Sequence, residues 1–440
     1  MCATVAQSVE QRTENPRVGG SIPPRGTIFY FKIDLKKSVF SARKFNIMES
    51  PNLKSVFLLS GSHAVNSVYA RVLTPVLPLI LLDFKLSYFE TGLIVSTYSF
   101  ACGIFQFPIS FFADYLNRHR LILCLSLVIS SIPLIFFGFL ESFFVLLFLV
   151  FLSGIGSSAY HPPAVALLAR EATKKLSFHM SIFKAGGDFG SIFTPVLVGW
   201  LTYYFGDWRT AVQFFVLPGV IFSLVIWFSF TDFSREKKEL KNEVKRTFSQ
   251  LFHNKILMFI LLLSSCRVMG LRGIMTFLPI WIAESLGFNV TSIGWILTLY
   301  FLVGTLSSIF WGKIAEGDRE TLYLSLMMII ASISLVFLSS NLSIFLTFIF
   351  IILLGGTLNP TQGLILSVAT KVVEEDNRAS SIGLLYSVNE VASILSPLIA
   401  GLVAEAYGVE KTFLFFSFLC FVALLVSMNI HRHRNTKEGT

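Results

Sequence analysis

Long apolar runs separated by short polar intervals organise this chain from about residue 55 onward. A helix needs roughly 20 apolar residues to cross a bilayer. Runs of that kind lie near 55–82, 90–113, 121–139, 143–168, 177–204, 210–231, 256–283, 291–314, 321–339, 343–369, 380–406 and 411–430. The pattern predicts an all-α membrane protein of twelve transmembrane helices. Residues 1–47 depart from it: they are polar, contain proline and arginine, and hold no run that could span. They also lack the apolar core and small-residue cleavage site of a secretory signal. The stretch from Ser8 to Pro24 resembles the conceptual translation of a transfer-RNA gene. We therefore expect translation to start at Met48, the other reading being a disordered basic arm.

The polar intervals carry an orientation signal. With both ends on one side, the odd-numbered exits hold three basic residues, Lys85, Arg209 and Lys411. The opposite loops and tails, counted from Met48, hold twenty, including Arg118, Arg120, Lys174, Lys175 and Arg378. Cytoplasmic loops are enriched in Lys and Arg, so both termini and the basic segment 232–255 are expected in the cytoplasm.

The second half of the chain repeats the first. An offset of 202 residues pairs Ser191, Ile192, Pro195, Gly199, Gly206, Thr210 and Phe214 with Ser393, Ile394, Pro397, Gly401, Gly408, Thr412 and Phe416. The same offset pairs Asp188 with Glu390, Gly92 with Gly294, Tyr98 with Tyr300 and Asp114 with Glu316. At 201, Arg71, Leu77 and Pro78 meet Arg272, Leu278 and Pro279. We expect two parallel six-helix repeats, 48–231 and 256–430, joined by the linker 232–255 and followed by a tail at 431–440.

Composition narrows the class. The mean hydropathy is +0.71 and Phe alone contributes 46 residues, so much of the surface must face lipid. The net charge of +9 builds no basic stripe interleaved with aromatics, so no nucleic-acid partner is expected. The five cysteines are scattered without metal or redox spacing. Neither a cofactor nor a metal is expected, and neither is an enzyme: the sequence offers no catalytic triad order, zinc spacing or phosphate loop in a supporting context.

Ionisable residues inside a bilayer are costly and face a cavity or a partner. Here they are His63, Arg71, His161, Lys184, Asp188, Arg267, Arg272 and Glu390. At ~1.5 Å per residue, Asp188 and Glu390 lie about 15 to 17 Å from the cytoplasmic edge. Each half thus offers an arginine on its first helix and a carboxylate on its fifth. In one reading Arg71 and Arg272 hold an anionic substrate, with His63, Asn66 and His161 contributing, while Asp188 and Glu390 carry a coupled proton. In the other, Arg71–Asp188 and Arg272–Glu390 are structural ion pairs. Lys184, one turn from Asp188, neutralises that acid or snorkels toward the cytoplasm. His161-Pro162-Pro163 and Asn359-Pro360 are expected to break their helices.

The segment FFADYLNRHR, residues 111–120, resembles the signature loop of the major facilitator superfamily at Asp114 and Arg118, with Ser110 and Asn117 where glycines are usual. Its counterpart GKIAEGDRE, residues 312–320, keeps Gly312 and an acid at Glu316. Within that superfamily, SHAVN at 62–66 followed by TPVLP, and GIGSSAYHPP at 154–163, are similar to the fosmidomycin-resistance type of drug exporter. Ser67 stands where that motif has an aspartate. The resemblance implies the major facilitator fold, a monomer, and a gating role for Asp114, Arg118 and Glu316. It also implies proton-coupled efflux of a drug or small metabolite by alternating access. Proton-linked uptake of a small organic anion and a non-transporting membrane sensor are the alternatives.

Overall fold

The computed structural model describes residues 51–171, 176–232, 254–315, 319–340, 342–373 and 378–438. The extension 1–47 and residues 233–253 of the linker lie outside the described residues. Among the described residues every regular element is helical. Ten helices there are long and apolar enough to cross a membrane, from Leu53–Phe84 to Lys411–His433. Two more, Tyr88–Leu116 and Leu176–Phe205, are 29 and 30 residues long.

Local chemistry sets the ends. Ser87 caps helix 88–116 by accepting from the Glu90 amide, while the Glu90 carboxylate accepts from the Ser87 amide, so two otherwise orphaned donors are satisfied reciprocally. Asn254, Asn289 and Ser343 cap the helices that follow them. Gly206 and Gly408 close helices 176–205 and 378–407 at φ +69° and +94°, backbone that a side chain disfavours. Proline interrupts two spans where the sequence predicts it. Helix Phe143–Ser158 stops before His161–Glu171, and Ile344–Leu358 stops before Thr361–Lys371. A third break was not expected: the first span unwinds after Tyr69 through a turn and the 3-10 segment Thr74–Val76.

Apolar packing forms two clusters. One runs from Val56 to Phe230, and the other gathers residues from Leu257 to Ile430 with Leu77 and Ile192. Large apolar side chains such as Phe139, Phe228 and Phe345 stand on the outside, where lipid replaces water as their solvent.

Two seams join the clusters: helix 88–116 packs on 378–407, and 176–205 packs on 290–314. Their contacts come in pairs 202 residues apart. A Cβ at Gly92 would overlap the Pro397 carbonyl oxygen, and one at Gly294 would overlap that of Pro195. Ser96 donates to the Ile394 carbonyl at 2.7 Å, and Thr298 donates to that of Ile192 at 2.8 Å. Gly401 abuts Tyr88 and Phe89, while Gly199 abuts Val290 and Thr291. The seams thus hold one end of the molecule shut.

Candidate functional site

Between the seams and the opposite end lies open space. A cavity of about 900 Å³ runs from Arg71, Asp188 and Phe301 to Glu320 and Lys371. Those last two residues sit at the terminal positions of helices 320–338 and 361–371, so the cavity reaches the helix ends. A smaller space of about 270 Å³ adjoins it, lined by Arg71, Arg267, Arg272, Tyr386, Asn389 and Glu390. Arg71, Arg267, Phe301, Asn359, Gln362 and Tyr386 line both.

The three guanidiniums differ in what holds them. Arg267 is buried and fully engaged: it donates to Thr361 Oγ1 at 2.8 Å, to Gln362 Oε1, and to the Leu358 carbonyl. Leu358 ends its helix at the Asn359-Pro360 break, so the freed carbonyl finds its partner across the bundle. Arg71 sits in the turn where the first span unwinds, its guanidinium 5.0 Å from the Phe301 ring centroid. Arg272 rides inside the continuous helix Lys255–Leu286. Neither Arg71 nor Arg272 makes an ion pair or side-chain hydrogen bond among the described residues, and both face the smaller cavity.

The acids differ as well. Asp188 is paired with Lys184, Nζ to Oδ2 at 2.7 Å, so the expected Arg71–Asp188 ion pair is absent. Among the described residues Glu390 makes no ion pair within 4 Å, and it shares the smaller cavity with Arg272. The Arg272–Glu390 pair is therefore not closed either. The difference is written in the chain: the residue 202 positions after Lys184 is Tyr386, which is neutral.

The histidines lie apart from both cavities. His63 Nδ1 sits 2.8 Å from the Phe183 carbonyl, its ring stacks on Phe183 at 4.3 Å, and it meets His161 edge-on at 5.2 Å. Asn66 accepts from Ser157 at 3.2 Å. These contacts tie helix 51–69 to its neighbours. Arg118 stands 3.9 Å from Asp232, at the end of its own helical cluster. The side chain of Asp114, and Glu316 altogether, lie outside the described residues. At the cavity's far end Lys371 pairs with buried Glu320, which also accepts from Ser367 at 3.0 Å.

Sequence reasoning gave Arg267 no task, overlooked Phe301, Gln362 and Tyr386, and placed Asn359 only at a helix break. The broken helix at Asn359-Pro360 was the available signal, since unwound backbone at membrane depth marks a cavity wall.

The model of the major facilitator superfamily matches this chain twice, over residues 59–271 and 260–439. The fosmidomycin resistance protein of Escherichia coli (strain K12) is 21% identical over 385 residues, covering 86% of this chain and 93% of that protein. A crystal structure of a bacterial homolog to the human lysosomal transporter Spinster, inward-facing and unoccupied, superposes with a TM-score of 0.74. Its identity is 16%, over 87% of this chain and 98% of that one. The crystal structure of the nucleoside transporter NupG gives a TM-score of 0.69 at 16% identity, over 86% of this chain and 98% of that one. Likeness at this identity is likeness of fold.

Proposed function

Because the chain belongs to the major facilitator superfamily, we propose that it is a proton-coupled secondary transporter of a small organic anion, working by alternating access. The observation that carries this reading is the pair Arg71 and Arg272, two guanidiniums that face one cavity and have, among the described residues, no ion pair or side-chain hydrogen bond of their own. A cation held at membrane depth without a partner is costly, and an anionic solute supplies the missing charge through bidentate hydrogen bonds. The carboxylates of Asp188 and Glu390 are the groups available to carry a proton.

Several finer features belong to the same reading. Helices 88–116 and 176–205 also cross the bilayer, making twelve, and the paired seam contacts reflect two parallel six-helix halves. By the positive-inside count both termini face the cytoplasm, the seams close the outer end, and the large cavity opens inward. The Arg118 loop and the region of Asp114 and Glu316 gate that inner end. The transporter acts as a monomer in the cell membrane.

A second reading, efflux of a drug by proton antiport, is favoured by the name of the Escherichia coli relative. Purified protein in proteoliposomes containing a pH-sensitive dye tests both. Fosmidomycin and a panel of small carboxylates, phosphonates and organic cations are added under an imposed pH gradient. Anion-dependent proton movement supports the first reading, while movement with cations alone refutes it.

A further inference from the structure

We propose that Glu390 is the single exchanging acid of this transporter, and that with Arg272 it couples a bound anion to a proton so that both travel in the same direction. The inference rests on the anion reading above and adds the coupling residue, its stoichiometry and its sign.

The argument begins with the asymmetry between the halves. Asp188 already has its counterion, Lys184, one helical turn away at 2.7 Å. A carboxylate with an ammonium at hydrogen-bond distance already has a charge partner that a ligand or a second cation would have to displace. Glu390 has Tyr386 at the matching position and so lacks a cation one turn back on its own helix. Arg272 from helix 255–286 is the charged neighbour of Glu390, which shares its cavity with Arg267, with Arg71 from the break in the first span and with Tyr386 one turn back, while Cys102 lies near it on helix 88–116. That last helix approaches closely, since a Cβ at Gly103 would lie 3.3 Å from Glu390 Cβ. Arg267 is committed to Thr361, Gln362 and Leu358. Arg272 remains for Glu390 or for a ligand, and Arg71 lines the same cavity.

The sign of coupling follows from charge. An ionised Glu390 and an anionic substrate compete for the same guanidiniums. When the carboxylate takes one proton from water it becomes neutral and releases Arg272, so the proton raises the affinity for the anion. Linkage is reciprocal: the bound anion raises the affinity for the proton by the same factor. Proton and anion therefore load together and unload together. When the cavity is empty, Glu390 is left to neutralise Arg272, which allows the carrier to return. A substrate that competed with the proton would have to be cationic, and the three guanidiniums disfavour it.

The experiment uses the full chain in detergent and in proteoliposomes, with fosmidomycin and a panel of mono- and dicarboxylates and phosphonates as probes. Affinity is read from ligand-induced thermal shifts between pH 5 and 8. The potential is clamped with potassium and valinomycin for flux. One linked proton makes the anion affinity fall by up to about tenfold per pH unit in the alkaline range, and an acid exterior drives the anion inward with protons. Glu390→Gln should bind the anion with a flat pH profile and lose accumulation under the pH gradient, whereas Asp188→Asn should retain the slope. Three results overturn the inference while leaving the anion reading intact: anion movement against the proton, anion movement without proton movement, or a slope lost in Asp188→Asn but kept in Glu390→Gln. The wild-type flux direction alone decides the sign should either variant misfold. Failure of every probe anion to bind at any pH overturns the anion reading and the inference together.

Discussion

Replacing Gly92 by alanine tests whether the seam is the element that opens. The added Cβ would overlap the Pro397 carbonyl oxygen, and a backbone carbonyl within a helix cannot rotate away as a side-chain tip would. The closed seam must therefore shift, and an extra methyl forced into a packed contact costs about 1–3 kcal/mol. At 1.4 kcal/mol per factor of ten this raises the population with the seam parted by roughly five- to 150-fold. Gly294→Ala strikes the Pro195 carbonyl in the other seam, so the double variant should exceed either single one. The readout is a cysteine at Thr298, a buried residue whose hydroxyl crosses the seam to Ile192, in a chain whose five native cysteines are serine. A membrane-impermeant maleimide applied from the seam end should label it faster once Gly92 is replaced. An unchanged labelling rate in folded, monodisperse Gly92→Ala would refute the reasoning.

Two further outcomes follow from single contacts. Arg267→Gln removes the guanidinium that donates to the Thr361 and Gln362 side chains and leaves the Leu358 carbonyl with the Thr361 hydroxyl alone. It should lower stability by about 1–3 kcal/mol, visible as a depressed Tm without ligand, whereas Arg272→Gln should reduce anion affinity and leave the Tm largely in place. At Asp207, which caps helix 208–213 outside the membrane span, burial pushes the carboxyl up, but hydrogen bonds from Thr210 and the Arg209 amide outweigh it and hold it below the ordinary range. A depressed folded-state pKa means that this stabilisation is present above the unfolded value and is lost as pH falls through the folded one. Melting curves of wild type and Asp207→Asn should therefore differ near neutral pH and converge under strongly acidic conditions; a constant gap down to pH 3 would contradict that.

The parts legible in the sequence are those set by period and by backbone. Apolar run length marks the spans, and proline after His161 and after Asn359 marks their breaks, because neither depends on which neighbour a helix meets. Partnership was legible only as alternatives. Asp188 could reach Arg71 or Lys184, and the shorter connection along its own helix won. The first span's break near Arg71 escaped notice because Thr74-Pro75 lies within an otherwise apolar run. Arg267 reads as one more intramembrane charge until the Leu358 carbonyl is seen pointing at it from a helix about ninety residues away.

The seams of this molecule are written mostly in main-chain atoms: glycines against proline carbonyls, and three small hydroxyls donating to backbone oxygens. Such a surface asks of its residues only that they be small. The walls of the cavity, by contrast, lie mostly outside those main-chain contacts. A lineage can therefore rewrite what the cavity admits, residue by residue, while the moving parts stay as they are. Divergence in cargo on a common machine is the expected evolutionary signature of that separation.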